Sequence, residues 1–219
     1  MIQLILVPII AITVSLLIRA ELRSQLRLFY VLKPLSTLLV IGVAALSFLA
    51  PGARTGYTVG VLVGLLLSLG GDVSLMYPTP RAFQVGLVLF LLAQVAYAIT
   101  FTSVGGFHAP DLIAGGVLLI LAVVVYVYLT PGLGRMKVPV LVYILVISLM
   151  VNRAISAFYS PAFGLLQAWL MATGAALFWI SDLILAVNRF RFPFRLHPLG
   201  LAFYYGGQTL IALSPALFQ

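Results

Sequence analysis

Gly64-Leu-Leu-Leu-Ser-Leu-Gly-Gly-Asp72-Val-Ser-Leu-Met76 sets an ionisable carboxyl inside an apolar run, and Gly174-Ala-Ala-Leu-Phe-Trp-Ile-Ser-Asp182-Leu-Ile-Leu-Ala186 repeats the arrangement. In both, the aspartate lies eight residues after a glycine and is followed by three mostly apolar residues. Holding such a group in a membrane span costs about 2.5–3.5 kcal/mol on insertion scales, so it is kept where it faces protein, water or a substrate. Asp72 and Asp182 are two of only four acidic residues in the chain, which makes them the first candidates for any chemistry.

The rest of the sequence fixes lipid as their surroundings. Hydrophobic residues make up 63% of the chain and charged residues 7%, with a mean hydropathy of +1.23; soluble domains carry roughly 25% charged residues. A helix of about 20 apolar residues crosses a hydrocarbon core. Runs of that length are expected at 1–18, 32–50, 57–77, 83–104, 112–129, 138–159, 162–187 and 198–217. The fold class is therefore all-α, a polytopic membrane bundle of eight helices forming one integral membrane domain over 1–219. The first run has no basic residue before it and no small-residue cleavage site after it, so it reads as a retained helix rather than a secretion signal.

Charge gives orientation. Arg19, Arg23, Arg27, Lys33, Arg81, Arg135, Lys137, Arg189, Arg191 and Arg195 fall at one end of the expected bundle, and Arg54 at the other. Lysine and arginine accumulate in cytoplasmic loops, so the basic rim is expected in the cytoplasm and both termini outside, with a bacterial inner membrane as the setting. The net charge of +8 is thus an orientation signal that favours anionic lipid headgroups and not nucleic acid. The absence of cysteine removes disulfides, iron–sulfur clusters and thiolate zinc sites.

Aspartates in the third and seventh runs suggest two parallel four-helix halves, with Gln94 and Gln208 at similar depths in the fourth and eighth. Asp72 is five residues before Tyr77 and Asp182 five before Val187, which puts each about 7–8 Å inside its helix end. Gly60, Gly64, Ser68 and Asp72 recur every four residues as a small-residue stripe, and Ala168, Ala172 and Ala176 do so in the seventh run. Such stripes let helices approach closely in lipid. Two carboxyls brought together in a low-dielectric site cannot both ionise cheaply, so the pair offers an acid and a base. The plainer reading is that each aspartate bonds a neighbouring helix or pairs with Lys33, which with Pro34 is expected to open the second helix.

Several segments sharpen the choice. Lys33-Pro-Leu, Ser68-Leu-Gly-Gly-Asp72-Val-Ser-Leu-Met, Phe83-Gln-Val-Gly-Leu, Phe90-Leu-Leu-Ala-Gln-Val-Ala-Tyr97, Ser181-Asp182-Leu-Ile-Leu-Ala, Asn188-Arg-Phe and Tyr204-Tyr-Gly-Gly-Gln208 follow in order and spacing. Together they resemble the YhhN-type lysoplasmalogenase family over nearly the whole chain. Where the family pattern is expected to hold a histidine, this chain has Gln94.

The resemblance implies hydrolysis of the vinyl ether bond of lysoplasmalogens to a fatty aldehyde and glycerophosphoethanolamine or glycerophosphocholine. It implies Asp72 and Asp182 as the catalytic pair, a lysophospholipid substrate and no cofactor. Protonating the vinyl β-carbon yields an oxocarbenium ion that water captures, work suited to a neutral carboxylic acid beside a carboxylate.

Substrate contacts are expected from Lys33, Gln94, Tyr97, Asn188, Arg189, Tyr205 and Gln208, with Arg191 and Tyr204 also within reach. No metal is expected, because His108 and His197 belong to opposite faces of the membrane. Arg153, with Asn152, reads as an outer-leaflet cation or a structural pair. Two other readings compete: a proton-coupled transporter, and an intramembrane aspartyl protease suggested by Pro215-Ala-Leu.

Overall fold

The computed structural model describes residues 2–218. Its α-helices run α1 Leu6–Leu22, α2 Leu26–Leu46, α3 Thr55–Leu75, α4 Pro80–Gly105, α5 Pro110–Leu133, α6 Lys137–Ser156, α7 Leu165–Phe190 and α8 Gly200–Leu213, with no strand among the described residues. In hydrocarbon no water can satisfy a free N–H or C=O, so a chain this apolar closes its backbone bonds within helices. Local signals mark the ends. The Thr79 side chain accepts from Ala82 N at the start of α4, with Pro80 at the first helical position. Gly106 (φ 73°) and Gly134 (φ 49°) end α4 and α5 in the left-handed region.

Six helical runs are long and apolar enough to cross a membrane: Gln3–Leu22, Leu26–Leu49, Thr55–Leu75, Pro80–Gly105, Pro110–Tyr159 and Leu165–Phe190. The chain is a multi-pass integral membrane protein. Pro110–Tyr159 contains two of the expected spans, α5 and α6, joined by a 3-10 turn at Gly134–Met136. At α8 the α-helix is 14 residues long, with 3-10 turns at His197–Leu199 and Ser214–Leu217 on either side.

Two sequence boundaries move. α2 begins at Leu26, so Lys33 and Pro34 lie inside the helix and not at its start. Arginine at 27 does not end the helix, because a long basic side chain can keep its head at the interface while its stem lies along the helix. α3 ends at Leu75 and α7 at Phe190, so Asp72 stands three residues and Asp182 eight from their helix ends.

α3 packs most closely on α4, and α7 on α8. A Cβ at Gly64 would overlap the Tyr97 ring, and one at Gly71 would stand 2.6 Å from Phe90. In the other pair, Gly174 and Gly207 meet backbone to backbone; a Cβ at Gly174 would be 2.8 Å from the Gly207 carbonyl oxygen. The expected stripe of Ala168, Ala172 and Ala176 is corrected: Ala176 is exposed, and the packed face of α7 runs through Ala168, Met171, Gly174, Ala175 and Phe178. A 3.6-residue turn rotates a strict four-residue repeat off the contact line.

Elements also recur at one offset. α3 starts at 55 and α7 at 165 (165 − 55 = 110), and the 3-10 turns at 47–49 and 157–159 differ by the same 110. Residues 61, 64, 65 and 68 are buried on α3, as are 171, 174, 175 and 178 on α7.

Gly174→Val pushes a branched side chain into the Gly207 backbone, where no rotamer can relieve the contact. Overpacking costs about 1–3 kcal/mol, so the apparent melting temperature in detergent is expected to fall by about 5 °C. An unchanged melting temperature would show that α7 and α8 do not pack this way.

Candidate functional site

Helix ends α1, α3 and α7 and helix starts α2, α4 and α8 meet at the basic rim. Between them lies a cavity of about 250 Å³ whose walls include both Asp72 and Asp182. The two carboxyls reach it from helices of unequal length: at 1.5 Å per residue Asp72 is about 4.5 Å from its helix end and Asp182 about 12 Å. The equal offsets expected from sequence are therefore replaced by a longer α7, and the shared cavity remains.

The two acids have different partners. Asp72 is 2% exposed. Its Oδ2 accepts from Thr37 Oγ1 (2.7 Å) and from the Tyr204 hydroxyl (2.7 Å), and Lys33 Nζ lies 3.7 Å from Oδ1. Donors thus face both oxygens, an arrangement suited to a carboxylate. Tyr205 completes the cluster by donating to the Lys33 carbonyl at 2.8 Å.

Among the described residues, Asp182 accepts one hydrogen bond, on Oδ2, from the Tyr143 hydroxyl at 2.5 Å. Asp182 also lines the cavity. Lys33 and Tyr143 stand at the same 110-residue offset as Asp72 and Asp182 (143 − 33 = 110; 182 − 72 = 110), so the acids face a cation in one half and a neutral phenol in the other.

A second, apolar groove meets the cavity at Asp182. Leu75, Phe83, Phe90, Asp182 and Leu185 line both. Its remaining wall includes Leu129, Ile144, Ile147 and Trp179 from α5, α6 and α7. A polar chamber and an apolar channel joined at a carboxyl can hold an amphiphile with its head–tail junction beside the acid.

Of the residues expected to touch substrate, Lys33, Asn188 and Arg189 line the cavity, as does Tyr204. Gln94, Tyr97, Tyr205 and Gln208 do not line either space and are fully buried between helices. Tyr97 donates to Gln208 Oε1 at 2.8 Å, and Gln208 Nε2 donates to Ser68 at 3.0 Å, a cross-helix network that fixes α3, α4 and α8. Asn188 is tied to the loop as well, because its Oδ1 accepts from Phe194 N. Arg191 is outside the cavity, over the Tyr128 ring.

Sequence reasoning missed Glu21, Thr37, Tyr143 and His197. The histidines do lie apart, His108 bonding the Gly105 carbonyl at the far rim, but His197 lines the cavity. No group of three or more His, Cys, Asp or Glu among the described residues is placed to hold a metal.

Arg153 is a structural cation, 4% exposed and not snorkelling. It pairs with Asp111 at 2.9 Å, bonds Asn152 and covers the Phe107 ring, tying α6 to the α4–α5 connection. Removing one member of a buried pair costs about 3–5 kcal/mol because a buried charge is left behind. Arg153→Ala is therefore expected to lower the apparent melting temperature by about 10 °C or more. An equally stable variant would remove this pair from the account of the fold.

The sequence profile of the YhhN family matches residues 28–215. The protein named lysoplasmalogenase TMEM86A from Bos taurus is 33% identical over 159 residues, and the protein of that name from Homo sapiens is 34% identical over 157; each alignment covers 70% of this chain and 64% of the relative. A lysoplasmalogenase homolog from Dictyostelium discoideum is 28% identical over 211 residues, 78% of this chain and 68% of the relative. The chain thus spans under two thirds of the length of the mammalian relatives it matches. No solved structure matches it.

Proposed function

The chain belongs to the YhhN family, and we propose that it hydrolyses the vinyl ether bond of lysoplasmalogens to a fatty aldehyde and a glycerophospho headgroup, with Asp72 and Asp182 as the catalytic pair. The observation that carries this reading is a single polar cavity, lined by both carboxyls, that opens at Asp182 into an apolar groove. The relatives named lysoplasmalogenase support the substrate class. A lysoplasmalogen has one charged head and one long chain joined at the reacting bond, and the two spaces have the matching polarity. Lys33, Asn188 and Arg189 are assigned to the phosphate end and the groove to the alkenyl chain.

Hydrogen bonding divides the roles. Asp72, with donors on both oxygens, acts as the carboxylate; a proton on either oxygen would face a donor. Asp182 acts as the acid: Tyr143 donates to Oδ2, so the transferable proton resides on Oδ1 toward the cavity.

That proton passes to the β-carbon of the vinyl ether, whose π electrons form the new C–H bond and leave an oxocarbenium ion. Asp72 stabilises the cation. Water adds to the cationic carbon and its proton returns to Asp182, giving a hemiacetal. The hemiacetal O–H proton then passes to the glycerol oxygen as the bond from that oxygen to the former vinyl carbon breaks, which releases aldehyde and the headgroup alcohol with one water consumed overall. Gln94 is buried and lines neither space.

The other readings fit less well. α3 and α7 run unbroken past the aspartates, unlike the interrupted helices of many carriers. Pro215-Ala-Leu sits in the 3-10 turn at the far end of the bundle, where Ser214 bonds Tyr57. The basic rim is assigned to the cytoplasm of a bacterial inner membrane, with both termini outside. Eight crossings in two parallel halves, forming one membrane domain, are part of the same proposal, supported by the 110-residue offset between α3 and α7.

The test is aldehyde release by purified protein from a lysoplasmalogen and from its saturated ether analogue, with aldehyde expected only from the former. Asp182→Asn is expected to lower kcat by at least about 10²–10⁴-fold, with Asp72→Asn comparably impaired. Tyr143→Phe is expected to lower kcat by about tenfold while KM changes little, because it positions the acid without touching the head. Full activity in either asparagine variant would reject the pairing, as would uptake of solute by proteoliposomes without aldehyde release.

A further inference from the structure

The cavity carries a third acid that the proposed chemistry leaves unused. Glu21, in the last turn of α1, lines it together with Lys33 and Arg189, with its side chain 27% exposed. Its Oε1 stands 3.5 Å from His197 Nε2. The other ring nitrogen of His197, Nδ1, lies 2.9 Å from the Phe194 carbonyl, which fixes the ring with Nε2 toward Glu21. The Glu21 carboxylate, placed in this way, can accept from a donor carrying several N–H bonds.

The aromatic side chains nearby decide which cation fits. A quaternary ammonium has no N–H to donate and is recognised by open aromatic faces. Two of the rings that line the cavity, Phe29 and Phe83, already carry cations. Lys33 Nζ sits 5.6 Å above the Phe29 ring and Arg189 Cζ 4.9 Å above Phe83. Phe90 packs edge-on with Phe178 and Tyr204. A primary ammonium can donate to the Glu21 carboxylate while the adjoining phosphate meets Lys33 and Arg189.

Resting on the hydrolase reading, we propose that Glu21, positioned by His197, forms an ammonium subsite that selects ethanolamine-phosphate headgroups over choline-phosphate ones. One charge-assisted hydrogen bond contributes about 1.5–3 kcal/mol, so kcat/KM for the ethanolamine lysoplasmalogen is expected to exceed that for the choline one by about tenfold or more. Glu21→Gln brings the ratio toward unity by raising KM for the ethanolamine substrate, and Glu21→Asp retains part of the preference. Calorimetric binding of glycerophosphoethanolamine and glycerophosphocholine to the full chain tests the same subsite without chemistry.

Selective binding that Glu21→Gln abolishes supports the subsite even where no aldehyde is released, a result that would overturn only the hydrolase reading. Equal turnover of the two lysoplasmalogens, or a ratio that Glu21→Gln leaves unchanged, overturns the subsite and leaves the hydrolase standing. Absence of both binding and turnover overturns both.

Discussion

The ammonium of Lys33 and the carboxylate of Asp72, 3.7 Å apart and almost wholly withdrawn from solvent, hold three helices to one geometry. A buried ion without a partner costs several kcal/mol, so α2 and α3 cannot separate at this level without exposing both. Thr37 from α2 and Tyr204 from α8 both donate to the other oxygen of Asp72, Oδ2. The basic-rim cavity is bounded by that cluster, and Asp182 enters it from the other half of the chain. The close approach of α7 to α8 through Gly174 and Gly207 carries Tyr204 and Asp182 on one packed unit.

A shared offset explains why the two acids end up unlike. Lys33 and Tyr143, themselves 110 residues apart, face Asp72 and Asp182, which share that offset. The backbone arrangement is alike, while the partner is a cation in one half and a phenol in the other. In the proposed reaction that single difference divides labour: one carboxyl remains charged to stabilise a cation, the other keeps a proton to donate. Two identical partners would have given two identical acids and no direction for proton transfer. The apolar groove meeting the cavity at Asp182, not at Asp72, is consistent with the same division.

The aspartates were legible in the sequence because charge within an apolar run is costly enough to mark function by itself. Their convergence on one cavity also followed, although the reason given for it, equal distance from helix ends, did not hold: α7 continues to Phe190 while α3 stops at Leu75. Apolar periodicity places helices well and their ends poorly, since an arginine near the interface leaves the helix intact, as at α2. Tyr97 and Gln208 were read as pocket residues and instead bond one another between helices, Tyr205 bonds the Lys33 carbonyl, and buried Gln94 has no hydrogen-bond partner among the described residues. Polar side chains in lipid bond across helices whether or not a ligand is near. Tyr143, Glu21 and His197 carried no local signal, because a tyrosine in a span or a charge at a rim is ordinary until tertiary packing aims it. The offset between Lys33 and Tyr143 would have found the former, but only to a reader who compared positions instead of residue types.

The most direct test of this division is infrared difference spectroscopy of the protein without substrate, following the carbonyl stretch of a protonated carboxylic acid through its shift in heavy water. The account predicts one such buried band in the native protein, lost in Asp182→Asn and retained in Asp72→Asn. A band that disappears with Asp72 and survives without Asp182 would reverse the assigned roles and contradict the mechanism.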